Sequence, residues 1–173
     1  MSGFRIRRVE HMGAAELEGL CDVLIDCVKG GASVNFLWPM TRAKAERFWM
    51  GVGEALPRGD RVLVVAEDDA GRIIGTAQAV WAPQENQPHR ADIAKMLVKR
   101  TARRLGVGAA LLRAAEGAAR DAGKTVLVLD TASDAAERLY EREGWHRVGR
   151  IPDYALMPDG ARCDTHVFYK HVS

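Results

Sequence analysis

The run Met96-Leu97-Val98-Lys99-Arg100-Thr101-Ala102-Arg103-Arg104-Leu105-Gly106-Val107-Gly108-Ala109 decides how this chain is read. The end of an apolar strand enters a basic turn, then a Gly-x-Gly, then an Ala/Leu-rich helix. That order of parts makes a phosphate cradle. Glycine lets the backbone turn tightly and approach a ligand, and the first turn of a helix offers free N–H groups and the positive end of its dipole. Three phosphate-loop patterns compete. The nucleotide-hydrolase P-loop needs a Lys-Ser/Thr pair that is absent here. The dinucleotide fingerprint needs a third glycine where Leu111 stands, and it belongs near the start of a β-α-β unit. The pattern Gln/Arg-x-x-Gly-x-Gly/Ala is met by Arg103, Gly106 and Gly108. Taken alone, this match is balanced by an ordinary strand-to-helix turn with solvated arginines, so the rest of the chain must decide.

A length of 173 residues suits one domain, 1–173, with a sizeable core. The net charge of +2 is too small to argue for nucleic acid or a membrane surface as a partner. No apolar run reaches membrane-spanning length. The charged stretch Met1 to Glu10 lacks a signal-peptide core, so a cytoplasmic protein is expected. Cys21, Cys27 and Cys163 form no C-x-x-C and read as reduced thiols. The five histidines are scattered singly, so no metal is expected.

Outward from the opening run, Phe4 to Val9 alternates as a strand, and Ala14 to Val28 carries an apolar stripe of helical period that Gly30-Gly31 ends. Phe36, Leu37 and Trp38 then sit in a connector, either lining a pocket or capping the core. Thr41 caps a second helix. Arg61 to Glu67 and Arg72 to Ala82 form a hairpin, and Arg90 to Val98 delivers the cradle. The next helix is expected to pair Glu116 with Arg120 on its outer face. Thr125 to Leu129 is short and wholly apolar, a central parallel strand with Asp130 at its C-terminal end, where open α/β sheets place chemistry. A helix after Ser133 and two strands, Arg147 to Ile151 and Thr165 to His171, complete the chain, joined by a loop from Pro152 to Arg162.

The string Ser133-Asp134-Ala135-Ala136-Glu137-Arg138-Leu139-Tyr140, with Gly144-Trp145 after it, resembles the second signature of the GNAT N-acetyltransferases, Asn-x-x-Ala-x-x-Leu/Phe-Tyr-x-x-x-Gly-Phe. Two motifs in order and at the right spacing are far more specific than one. Nearly the whole chain follows that family's element order, which implies an α/β GNAT (acyl-CoA N-acyltransferase) fold, a mixed sheet of about seven strands flanked by about four helices. A closer likeness is to the tabtoxin-resistance type of GNAT acetyltransferase. It is carried by Gly30-Gly31-Ala32-Ser33-Val34 with Phe36, Val65 to Asp69, Lys95 to Val98, Leu129-Asp130-Thr131, and Pro152, Tyr154 and Pro158-Asp159-Gly160. Ser133 departs from the usual Asn and Trp145 from the usual Phe.

The resemblance implies acetyl-CoA as co-substrate and direct acetyl transfer to the amine of a small molecule, with an amino-acid-like toxin or antibiotic as one candidate class. It implies that Arg103, Arg104, Leu105, Gly106, Val107, Gly108 and Ala109 hold the pyrophosphate. Met96, Leu97 and Val98 would pair with the pantetheine arm, and Ser133 and Ala136 would complete the coenzyme site. Tyr140 is the candidate general acid, against a plain core tyrosine. Asp130 and Asp92 are the candidate bases, against a turn residue and a solubilising edge charge. Ser33, Phe36, Trp38, Trp81 and Tyr154 are the candidate acceptor contacts. The chain could act as monomer or homodimer. The competing reading is a non-catalytic acyl-CoA-binding module of the same fold, a sensor or regulator.

Overall fold

The computed structural model describes residues 3–173. Their order is β1 (Phe4–Val9), α1 (Ala14–Lys29), α2 (Arg42–Ala55), β2 (Arg61–Asp68), β3 (Ile73–Trp81), β4 (Arg90–Val98), α3 (Val107–Asp121), β5 (Val126–Thr131), α4 (Asp134–Arg142), β6 (His146–Leu156) and β7 (Arg162–His171). The strands form one seven-stranded sheet in the order β1-β2-β3-β4-β5-β7-β6. Only β4 and β5 pair in parallel; every other neighbouring pair is antiparallel. This is the mixed α/β fold expected of an acyl-CoA N-acyltransferase.

Both faces of the sheet are covered, which is why β2 reads as a continuous apolar run rather than an alternation. Leu63 and Val65 face α1 and α2, packing with Leu20, Leu24 and Trp49. Val62 and Val64 face α3, packing with Leu111, Leu112, Leu127 and Phe168. A fully buried leucine such as Leu111 contributes roughly 1.5–3 kcal/mol. α1 and α2 begin where side chains satisfy free N–H groups. The Lys44 N–H donates to Thr41 Oγ1 at 3.2 Å ahead of α2, and the Gly13 N–H donates to Glu16 Oε2 at 3.1 Å ahead of α1.

Three expectations change. Glu116 does not pair with Arg120 in solvent. It is buried, accepting from Trp145 Nε1 at 2.7 Å and from Lys170 Nζ at 2.8 Å, because α3 presses this flank onto β7 and the α4–β6 turn. The last hairpin is longer than its apolar pattern suggested. β6 runs through Pro152 to Leu156, and register shifts between Arg147 and Gly149 and between Ile151 and Ala155 absorb the irregular residues. β5 continues to Thr131, so Asp130 lies within a strand, opposite Val167 of β7.

Two irregularities shape the middle of the sheet. The parallel register of β4 and β5 lasts three pairs, Arg90–Val126, Ala91–Leu127 and Asp92–Val128, and then the strands part. On the other edge of β4, Gln78 pairs with Ala94 and Thr76 with Leu97, so Lys95 and Met96 together oppose Ala77. That bulge bends β4, with Lys95 at φ +52°. Past the Asp92–Val128 rung, β4 and β5 diverge and leave a wedge whose walls are unpaired strand edges.

Candidate active site

At the narrow end of α3 the backbone takes the form its glycine predicts. Arg104 and Gly106 adopt positive φ, 62° and 83°, and Gly106 is the N-cap residue of α3 without a capping side chain. The first N–H of this turn to find a backbone acceptor is that of Ala110, which donates to Gly106 O at 3.1 Å. The amides just before it have no helical acceptor and point out of the helix end. Gly108 is not required in the same way: a Cβ there would lie 3.4 Å from Leu139 Cδ2 of α4, an ordinary contact. This concave ring of amides matches the charge of a diphosphate.

The basic turn divides its labour. Arg100 is neutralised by Asp26, which accepts from its backbone N–H at 2.8 Å and from its guanidinium at 2.9 and 3.0 Å. Burial works against the Asp26 charge, but the Arg100 bonds outweigh it and hold the carboxyl below its usual range. Arg103 Nε lies 3.5 Å from Val98 O, beside the buried Cys27 thiol. Burial pushes that thiol up to about 11. Arg104 makes no ion pair among the described residues and is exposed, so its charge is free for a ligand.

Beside the wedge, Tyr140 of α4 and Asp130 of β5 lie near enough for the Asp130 charge to act on the phenol. Tyr140, on the inner face of α4, is 4% exposed and leans on Trp145 and Phe168, ring centroids 6.0 and 5.8 Å away. Burial, reinforced by the nearby Asp130 charge, raises its phenol above the usual tyrosine range, so it keeps its proton. Asp130 accepts from Thr165 Oγ1 at 2.7 Å through Oδ2. Asp92 stands apart from this pair. It lies in the last parallel rung, opposite Val128, and its Oδ1 is held by Arg90 Nη1 at 2.6 Å.

Four of the five candidate acceptor contacts share a region. Ser33 Oγ donates to Leu156 O at 3.3 Å and touches Cys163 Sγ at 3.6 Å, tying the α1–α2 connector to the last hairpin. The Trp38 N–H donates to Pro158 O at 2.9 Å, and its indole is exposed. Phe36 stands edge-on to Phe48 of α2, at 5.4 Å. Tyr154 is exposed on β6. Trp81 is not brought to them. It ends β3 beside the start of β4, at the opposite end of the strands from the cradle, its indole donating to Gly59 O at 2.7 Å under Lys124. Of the remaining coenzyme candidates, Met96, Leu97 and Val98 form the β4 edge past the bulge. Ser133 spends its hydroxyl as the α4 cap, accepting from Ala136 N–H at 3.3 Å.

Sequence reasoning passed over two features. Lys95, at the bulge, sets its Nζ 5.4 Å from the Phe48 ring centroid; burial lowers its pKa, opposed by Asp130. Glu137, buried one turn before Tyr140, is ion-paired with Arg147 of β6 and lies 2.5 Å from His166 Nδ1 of β7, anchoring α4 to the sheet. Neither carries a local signal: one depends on a bulge, the other on three separate elements.

Comparisons with known proteins bear on the family and the fold. Residues 25–145 match the model of the acetyltransferase (GNAT) family. An uncharacterized N-acetyltransferase from the hisH-hisA intergenic region of Azospirillum brasilense is 35% identical over 132 residues, 75% of this chain and 76% of that protein. Among solved structures, an N-acetyltransferase from Staphylococcus aureus superposes with a TM-score of 0.83 at 17% identity, covering 99% of this chain and 100% of the other. A GNAT superfamily phosphinothricin acetyltransferase from Sinorhizobium meliloti, solved in complex with acetyl-CoA, gives 0.80 at 20% identity, covering 99% and 89%.

Proposed function

The chain belongs to the GNAT acetyltransferase family, and from that premise we propose that it moves the acetyl group of acetyl-CoA directly to the amine of a small molecule, within a single domain. The observation that carries the proposal is the alignment of three parts. The amide ring before α3 suits a diphosphate, the wedge between β4 and β5 offers unpaired strand edge to a pantetheine arm, and Tyr140 and Asp130 flank that wedge.

The residues present fit this co-substrate. Arg104 to Ala109 supply N–H donors and the free Arg104 charge, with Arg103 beside them. Met96 to Val98 provide the strand edge, and a backbone N–H of Leu97 or Val98 stabilises charge developing on the acetyl oxygen. One such donor contributes about 2.7–4 kcal/mol in the transition state. Ala136 packs against the core beside the wedge, and Ser133 acts mainly as a helix cap.

In the reaction the amine nitrogen attacks the thioester carbonyl carbon, the C–S bond breaks, the amine proton passes to a base and the departing thiolate takes a proton. Tyr140 supplies the latter: its phenol stays protonated across the working pH range. Asp130 receives the former, its Oδ2 fixed by Thr165. Asp92 is the weaker candidate base, because its ion pair with Arg90 offsets its charge. Ser33, Phe36, Trp38 and Tyr154 belong to the acceptor side, where Ser33 and Trp38 reach the hairpin carbonyls. An amino-acid-like toxin or antibiotic fits this reading as one acceptor class.

The test is release of free thiol from acetyl-CoA over a panel of small amines. The expected result is turnover with at least one amine, dependent on Tyr140. Tight acetyl-CoA binding with no turnover on any amine would transfer the case to a non-catalytic acyl-CoA sensor.

A further inference from the structure

We propose that Lys95 is the specificity-determining residue of the acceptor site, a cationic anchor for an acidic group carried by the amine substrate. The inference rests on the acetyltransferase reading for its setting, but its evidence is separate.

A lysine at φ +52° is an expensive choice in a strand. The bulge needs a left-handed residue, which glycine supplies without strain. The long side chain standing there instead reaches the face covered by α1 and α2. Its Nζ lies over Phe48, whose ring meets Phe36 of the α1–α2 connector. No carboxylate among the described residues comes within ion-pair distance of it. Asp130 is the acid whose charge it feels, from across the wedge. A half-buried ammonium on an aromatic floor, facing an acid it does not touch, is an uncompensated charge.

Two opposite charges therefore face one wedge. Asp130 attracts the protonated amine that is to be acetylated, and Lys95 is placed for an anion on the same molecule. The fitting acceptor is an amine bearing a carboxylate or similar acid group. The half-buried rings of Phe36 and Phe48 lower the local dielectric on the Lys95 side, which strengthens the pairing.

The test uses the full chain saturated with CoA and isothermal titration with free amino acids and their C-terminal amides, so that binding is read without turnover. The variants are K95M and K95G; the latter matches the left-handed backbone and should melt no lower than wild type. The expected result is that some acids bind wild type about ten-fold or more tighter than their amides, and that both variants lose this preference while binding amides as before. Equal binding of acid and amide by wild type, no acid binding at all, or a preference surviving in K95G would overturn the proposal. A Lys95-dependent preference without thiol release would uphold the anchor while removing the acetyltransferase reading.

Discussion

Replacing Gly106 with alanine isolates the backbone conformation of the cradle. Gly106 sits at φ +83°, and a Cβ built there meets nothing within 4 Å, so no clash contributes. What remains is the cost of holding an L-residue in the left-handed region, about 1–2 kcal/mol. It can appear in two places. If the loop keeps its shape, the fold carries the cost, and Tm falls by roughly 2–8 °C for a chain of this size. If the loop relaxes to negative φ, its amides turn away from the diphosphate, and acetyl-CoA binding weakens by about 5- to 30-fold. The two readouts trade against each other, because one conformational term supplies both. Gly123→Ala is the control. It has φ +78° with equally open space, but lies past the far end of α3, so it should lower Tm and leave acetyl-CoA affinity alone. Thermal denaturation followed by fluorescence, with titration calorimetry for acetyl-CoA, measures both quantities. Gly106→Ala leaving Tm and affinity unchanged, or Gly123→Ala weakening acetyl-CoA equally, would refute the reasoning.

Tyr140→Phe removes one oxygen from a residue packed by Trp145 and Phe168. It should lower kcat by about 10²- to 10⁴-fold with little change in the KM for acetyl-CoA, as steady-state kinetics will report. Asp130→Asn should depress kcat/KM far more than Asp92→Asn, since Asp92 is already paired with Arg90; comparable losses would argue against Asp130 as base. Glu116→Ala strips Trp145 Nε1 of its acceptor and leaves the half-buried Lys170 with only the Glu143 carbonyl. A loss of about 2–3 kcal/mol is expected in urea denaturation. Burial and the Asp130 charge raise the Tyr140 pKa in the folded state. Its stabilising contribution is therefore fully present below pH about 10, where unfolded tyrosine begins to ionise, and is lost as pH rises further. Tyr140→Phe should flatten that alkaline fall in stability.

The order of elements was legible in the sequence because each depends on its own residues. α1 and α2 follow from an apolar stripe and a start signal, and β2 from a run buried on two faces. Gly106 announced a tight turn for the same reason, since a missing Cβ acts locally, and the structure gives that turn a positive φ. Tertiary packing decided the rest. Glu116 looks like a solvent-facing partner of Arg120 until the α4–β6 turn brings Trp145, and β7 brings Lys170, to within 2.8 Å. Trp81 looks like a pocket aromatic until the β3–β4 register carries it to the far end of the strands, opposite Ala91. Lys95 has no signature of its own, since its position depends on how β4 miscounts against β3 while parting from β5. Periodicity and caps are properties of neighbours along the chain. A carboxylate's partner, a strand's divergence and a lysine's reach depend on distances between residues far apart in sequence, and those exist only once the sheet has closed around its core.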